Sequence, residues 1–247
     1  MKAILNISAY LFVPLTDVLV LRESIRSQAV DLALKGTVLL AEEGINLFLA
    51  GVPEKLRAFV AWLRQDARFA MLAPKESWSD DVPFNKLLVK VKREIIRMNH
   101  PTIQPASGRA PAVDAHTLAR WLDAGVDDEG RPVVTLDTRN AFEIGHGRFQ
   151  GAIDWHIEKF SDFPAQVLAH RDELRGKRIV SYCTGGIRCE KAALYMAEAG
   201  VDNVVQLEGG ILKYFEEVGS KHFNGDCFVF DARGAVDASL AVPEGQE

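Results

Sequence analysis

The chain has 247 residues, close to half of them hydrophobic, and a formal net charge of −5, the profile of an ordinary globular protein with room for one large domain or two modest ones. Its longest apolar stretch, from Ile4 to Leu15, is interrupted by Asn6, Ser8 and Tyr10 and falls short of the ~18 residues of a membrane helix, so no membrane span is expected. Three cysteines make no disulfide framework and point to a reducing cytoplasm.

In chain order, a strand over 3–12 leads to a helix over 18–34. Segments 37–40 and 45–50 form a hairpin across Ala41-Glu42-Glu43-Gly44. A second helix over 53–64 opens on Pro53, at the position where a missing N–H costs little. A last strand over 86–98 completes the order β-α-β-β-α-β, which predicts a small ferredoxin-like α+β sandwich over residues 1–99.

Charge is divided unequally along the chain. Residues 1–111 hold 15 Lys+Arg against 11 Asp+Glu, net +4, whereas residues 112–247 hold 14 against 23, net −9. Such asymmetry hints at a polyanion-binding module beside a different one. The last strand carries the surplus: Lys86, Lys90 and Lys92 fall on one face by their even spacing, Leu87, Val89 and Val91 on the other, and Arg93 and Arg97 extend the positive field against Glu94. With Trp78 and Phe84 just upstream, the strip reads either as an RNA-binding surface tracking phosphates or as the lysine-protected outer face of an edge strand.

Residues 100–111 contain Pro101, Pro105 and Pro111 among small polar residues, a spacing that sustains neither a helix nor a central strand and therefore reads as a linker. Beyond it, helix 113–122 with Asp114 as N-cap is followed by strand 132–137, helix 140–144, helix 163–174, strand 179–182, a helix reaching Gly200, strand 203–206 and a helix from Ile211. The alternation predicts a second, α/β domain with a parallel sheet over 112–220, leaving 221–247 as a C-terminal tail with Cys227 as a core residue.

One stretch of that domain couples a nucleophile to a cradle of amides. Cys183-Thr184-Gly185-Gly186-Ile187-Arg188-Cys189 links strand 178–182 to a helix. A cysteine closing a strand at a Gly-rich turn meets converging N–H groups and a positive helix end, which favour a thiolate or a sulfur carried on it. Arg188 adds a full charge, so the Cys183 thiol is expected below its usual ~8.5. The Cys-x4-Arg spacing gives a ring of amides suited to one sulfur or a small oxyanion rather than to phosphate. Cys189 either resolves an oxidised Cys183 or packs, and packing or loop shaping is favoured. Asp137 reads as a strand-end carboxylate that caps amides, and Arg139 as its neighbour pairing with Glu143.

The histidines at 100, 116, 146, 156, 170 and 222 show no ligand spacing, so no metal site is expected. His146 alone lies in a turn, at Gly145–Gly147, that can approach the Cys183 loop. No dinucleotide fingerprint follows a strand, so no cofactor is evident.

The Cys183 loop resembles the active-site loop of the rhodanese family. So do Leu136-Asp137-Thr138-Arg139 with Glu143, the turn Gly147–Ile153, and Leu207-Glu208-Gly209-Gly210-Ile211. Beyond that domain, Gly36–Asn46, the run Cys183–Lys191 and Gly225–Asp231 are similar to one bacterial subfamily, the rhodanese-domain tRNA uridine hydroxylases, over about residues 3–236. This resemblance implies oxygen-dependent conversion of wobble uridine (U34) to 5-hydroxyuridine in tRNA. Cys183 would be the catalytic cysteine, with Arg188 stabilising its sulfur anion, and Thr184, Gly185, Gly186, Ile187 and Cys189 would complete the loop. Molecular oxygen would be the co-substrate, with the electron donor unassigned, and the anticodon arm of tRNA would be the partner, gripped by Lys86, Lys90, Lys92, Arg93 and Arg97. Some members carry a Cys-rich C-terminal extension with no counterpart before Glu247. The competing readings are a sulfurtransferase carrying a persulfide on Cys183, which the loop alone supports equally, and a non-catalytic module, which would normally have lost the cysteine.

Overall fold

The structure, a computed structural model, describes residues 3–243. It divides into two units, one formed by the chain up to Arg97 together with Phe230–Arg233, the other by Met98–Val229 and the chain from Gly234 onward.

In the first unit β1 (Ile4–Phe12) buries Leu5, Ile7 and Ala9, every second residue, because successive side chains of a strand point to opposite faces. Helix α1 (Val18–Asp31) precedes β2 (Lys35–Ala41) and β3 (Gly44–Gly51), which pair antiparallel across the two-residue turn at Glu42 and Glu43. Helix α2 (Pro53–Leu63) buries Leu56, Phe59, Val60 and Leu63, the i, i+3, i+4, i+7 stripe of a helix lying on a sheet. With β4 (Lys75–Ser79) and β5 (Leu87–Val91) the sheet has the order β4-β1-β3-β2-β5.

Two expectations for this unit are corrected. Strand β4 escapes a hydrophobicity reading because Lys-Glu-Ser-Trp-Ser is almost wholly polar, as an edge strand can be; it is defined by its antiparallel pairing with β1. The strand anticipated over 86–98 stops at Val91. Lys92 N still donates to Leu40 O at 2.8 Å. Beyond it side chains take over: Ile95 N donates to Glu43 Oε1 (2.7 Å) and Asn46 Nδ2 donates to Ile95 O (3.2 Å), holding Ile95 in the interior. Glu43 and Asn46 of the Ala41–Asn46 segment thus have a structural use.

In the second unit four parallel strands form a sheet of order β6-β10-β9-β7: β6 (Ala112–Val113), β7 (Val133–Asp137), β9 (Arg178–Tyr182) and β10 (Val204–Leu207). Its helices are α3 (Ala115–Ala124), α4 (Ala141–Ile144), α5 (Phe163–His170), α6 (Ile187–Glu198) and α7 (Gly210–Val218). Val113 is not helical as expected. Asp114 caps α3 by accepting from Thr117 N at 2.8 Å, which leaves Val113 extended to pair with Leu207. The helix anticipated to Leu174 tightens into a 3₁₀ turn at Arg171–Leu174.

Strand β8 (Gly147–Phe149) pairs antiparallel with β11 (Phe223–Gly225), and β12 (Cys227–Phe228) pairs with β13 (Ala235–Val236). The β8–β11 contact needs glycine: a Cβ on Gly147 would lie 2.6 Å from Asn224 O and from Asp226 N. Cys227 is fully buried, and burial pushes its thiol up to about 12, against Arg139. Among the described residues no helix is long and apolar enough to cross a membrane.

Candidate active site

Strand β9 is the centre of the second sheet, paired on both sides, and its Ile179 and Val180 are fully buried. It delivers Cys183 to the carboxyl edge of the sheet, where open α/β sheets place their ligands. Gly186 adopts φ +98°, a conformation that glycine takes without a Cβ penalty. That bend aims the Gly186 N–H at Cys183 Sγ, 3.1 Å away, and launches α6 at Ile187.

The loop carbonyls are held by a second helix start. Ile211 N donates to Cys183 O at 3.0 Å and Leu212 N to Thr184 O at 3.1 Å, both from the first turn of α7. The approach is possible because residue 210 has no side chain: a Cβ there would lie 2.4 Å from Cys183 O and 2.8 Å from Gly186 N. Helix α6 therefore serves the sulfur and α7 the carbonyls, which satisfies the backbone of a buried turn.

Burial alone would raise the Cys183 thiol. The Cys189 thiol donating to it, the Arg188 charge and the amides of Arg188 and Gly186 outweigh that cost and bring it down to about 6. Cys189 moves the opposite way, pushed well up by burial and by the anionic neighbour it serves, and its sulfur lies 3.8 Å from Thr138 Oγ1. The surroundings of Cys183 thus favour its thiolate, and Cys189 is the thiol placed to donate to it. Thiolate ultraviolet absorbance should rise with a midpoint near pH 6, a transition that Cys183→Ser removes. Because the folded value lies below that of an unfolded thiol, ionisation contributes stability that is complete above the unfolded value. That contribution is lost as pH falls through about 6. A midpoint between 8 and 9, the ordinary thiol range, would refute this electrostatic account.

Arg188 is buried and clamped by Glu143, with Nη1 donating to Oε2 at 2.6 Å and Nη2 to Oε1 at 2.7 Å. Glu143 also accepts from Asn140 N (3.1 Å) and from Thr184 Oγ1 (3.5 Å). The expected pairing of Arg139 with Glu143 is therefore corrected. Arg139 Nη2 donates to Asp137 Oδ2 at 2.6 Å and to Gly147 O at 2.7 Å, with its guanidinium 5.7 Å from the Tyr182 ring. Asp137 does cap an amide, accepting from Arg139 N at 3.0 Å. The two buried arginines are sorted by reach: Asp137 is two residues from Arg139, and Glu143 is the carboxylate that meets α6.

Within Cys183–Cys189 only Gly185 is half-exposed; the other six residues are buried. His146 does come near: its ring is 5.2 Å from that of Phe228, whose carbonyl accepts from Thr184 Oγ1 at 3.5 Å. In the first unit Lys86, Lys90, Lys92, Arg93 and Arg97 are all exposed, and β5 is an edge strand, so the strip is available to a polyanion and also guards an edge. Trp78 is half-buried and packs against the core of its unit rather than standing free. Among the described residues, no three His, Cys, Asp or Glu side chains gather as a metal set.

Residues 4–95 match the UPF0176 acylphosphatase like domain and residues 118–217 the Rhodanese-like domain. Over 241 residues the chain is 66% identical to the tRNA uridine(34) hydroxylase of Bordetella petrii, covering 98% of this chain and 96% of that protein. The chain belongs to the tRNA uridine(34) hydroxylase family. Proteins of the same name from Variovorax paradoxus and Delftia acidovorans are 64% and 63% identical, each over 98% of this chain and 92% of its relative. For this member of the tRNA uridine(34) hydroxylase family, sequence reasoning found the Cys183 loop but missed Glu143 as the clamp on Arg188 and Gly210 as the seat of the loop. The doubled glycine at Gly209-Gly210 was the available signal for the second. A contact between residues 45 positions apart left none for the first.

Proposed function

We propose that this chain hydroxylates the wobble uridine of tRNA at C5, with Cys183 as the nucleophile and molecular oxygen as the co-substrate. The observation that carries the reading is the buried Cys183 sulfur, met by an amide at 3.1 Å and favoured as a thiolate by the Arg188 charge, in a chain whose relatives are named tRNA uridine(34) hydroxylase. Uracil C5 resists direct oxidation. Thiolate addition at C6 would leave an enolate-like C5 able to meet the oxidant, and expulsion of the thiolate with loss of the C5 proton would restore the ring. One oxygen atom becomes the 5-hydroxyl; the other leaves as water with two electrons and two protons from a donor. The loop amides and Arg188 would stabilise the sulfur anion each time it is released. A wobble base suits such a site because it lies in a single-stranded loop from which it can be splayed out. Lys86, Lys90, Lys92, Arg93 and Arg97 would hold phosphates of that arm.

Nucleoside mass spectrometry of tRNA from cells lacking the protein tests the reading. Loss of 5-hydroxyuridine derivatives, restored by wild type and not by Cys183→Ser, is the expected result. Hydroxylation that persists without the protein, or loss of 2-thiolated nucleosides in its place, would transfer the chain to persulfide-based sulfur transfer. In tRNA-binding titrations over a range of salt, Lys90→Glu with Lys92→Glu should weaken binding and flatten its salt dependence, since fewer counterions are released; unchanged binding would remove the strip from the interface.

A further inference from the structure

Phe142 is the anomaly of the Cys183 surroundings. It is a large aromatic residue with 53% of its surface exposed, on the four-residue helix α4 whose next residue, Glu143, clamps Arg188. Its ring meets that of Phe228 edge-on at 5.2 Å and 88°, and Phe228 in turn meets the exposed His146 at 5.2 Å and 48°. Phe228 meets the loop, its carbonyl lying 3.5 Å from Thr184 Oγ1, whose hydroxyl also faces Glu143 at 3.5 Å. The arrangement is built into the backbone. Asp226 N donates to His146 O at 2.8 Å, and Gly225 (φ +81°) sits where a Cβ would lie 2.4 Å from that same carbonyl. Three aromatic rings are therefore grouped around Phe228, whose carbonyl meets the residue that follows Cys183, and two of them, Phe142 and His146, are exposed.

Exposed aromatics beside a nucleophile buried under polar backbone suit a flat, π-faced reactant whose edge must be turned toward the sulfur. We propose that Phe142, braced by Phe228 and flanked by His146, is a positioning residue: the stacking surface for a nucleobase of the substrate strand at the Cys183 loop. The inference rests on the reading that the substrate is RNA and extends it by naming what holds the base. A π-face accepts any base, so this surface supplies affinity and orientation, and discrimination comes from groups that meet the base edge. With 53% of its surface exposed, Phe142 offers part of its ring to a base.

The test uses the full chain with tRNA and, separately, with an RNA stem-loop carrying uridine at the wobble position. Phe142→Ala should raise the KM for tRNA by a factor of about 5 to 150, the range that ~1–3 kcal/mol per stacked base corresponds to. Phe142→Tyr should restore it and Phe142→Leu should not, with the Cys183 thiolate transition unmoved in all three. In Phe142→Trp, stem-loop binding should quench fluorescence beyond the change seen in wild type. Wild-type KM in Phe142→Ala, or rescue by leucine equal to that by tyrosine, would overturn stacking. If wild type hydroxylates no tRNA, the functional reading fails by itself. Stem-loop affinity then decides the inference: a loss in Phe142→Ala upholds it, and equal binding overturns it.

Discussion

Glu143→Ala is expected to destabilise the second unit by about 3–5 kcal/mol, because it leaves the Arg188 guanidinium buried without its carboxylate. The side chains involved are almost inaccessible, 6% exposed for Arg188 and 0% for Glu143, so water cannot replace the lost acceptor. Arg188→Met should cost a similar amount for the mirror reason, leaving a buried anion. The double variant Glu143→Ala with Arg188→Met should be markedly more stable than the sum of the two losses predicts, since no charge then remains to be solvated. The thiolate transition of Cys183 separates the two roles of the arginine. Arg188→Met should move it upward, because the arginine charge helps hold the sulfur anion; Glu143→Ala leaves that charge in the protein and should not raise it by this route. Denaturant titrations of the three proteins, with absorbance titrations beside them, provide the readout. Additive losses within ~0.5 kcal/mol would show that the pair is not coupled in the fold.

Gly210→Ala is expected to abolish activity and destabilise the unit although residue 210 contributes no reacting atom. Two effects combine. The position has φ +68°, which costs an L-residue ~1–2 kcal/mol. In addition its Cβ would press within 2.4 Å of Cys183 O and 2.8 Å of Thr184 O, both backbone atoms with no room to yield. Relief requires α7 to withdraw, which breaks the bonds from Ile211 N and Leu212 N that seat the loop. Gly200→Ala isolates the first effect, since Gly200 has φ +79° but nothing within 4 Å of an added Cβ. The expected difference is a modest stability loss with full activity for residue 200, against a large loss of both for residue 210. Equal behaviour of the two variants would reduce Gly210 to an ordinary turn glycine.

Both predictions concern residues whose importance lies in distant contacts, and that marks the boundary of what the chain discloses by itself. Local chemistry was legible. The run Cys183–Cys189 between a strand and a helix specified a sulfur anion cradled by amides, because the strand end, the glycines and the helix start act on atoms within a few residues. The alternation of elements specified two domains of α+β and α/β type, because periodicities of two and 3.6 record which side chains must be buried. Lys86, Lys90 and Lys92 are exposed as their charge suggests, although only Lys90 lies within β5.

Tertiary structure decided the partners. Asp137 took Arg139, Glu143 took Arg188, and Glu43 and Asn46 took the backbone of Ile95 in place of a continued strand. Nothing local ranks these alternatives: each carboxylate could satisfy any cation within reach, and reach is fixed only when the helices settle on their sheets. The polar strand β4 was hidden for a related reason, since an edge strand is defined by its neighbour's ladder and not by its own hydrophobicity. The sequence by itself marked Cys183 as the candidate nucleophile and showed what kind of scaffold carries it. Packing determined which charged groups surround its sulfur, because those contacts join residues separated by tens of positions and exist only in the folded chain.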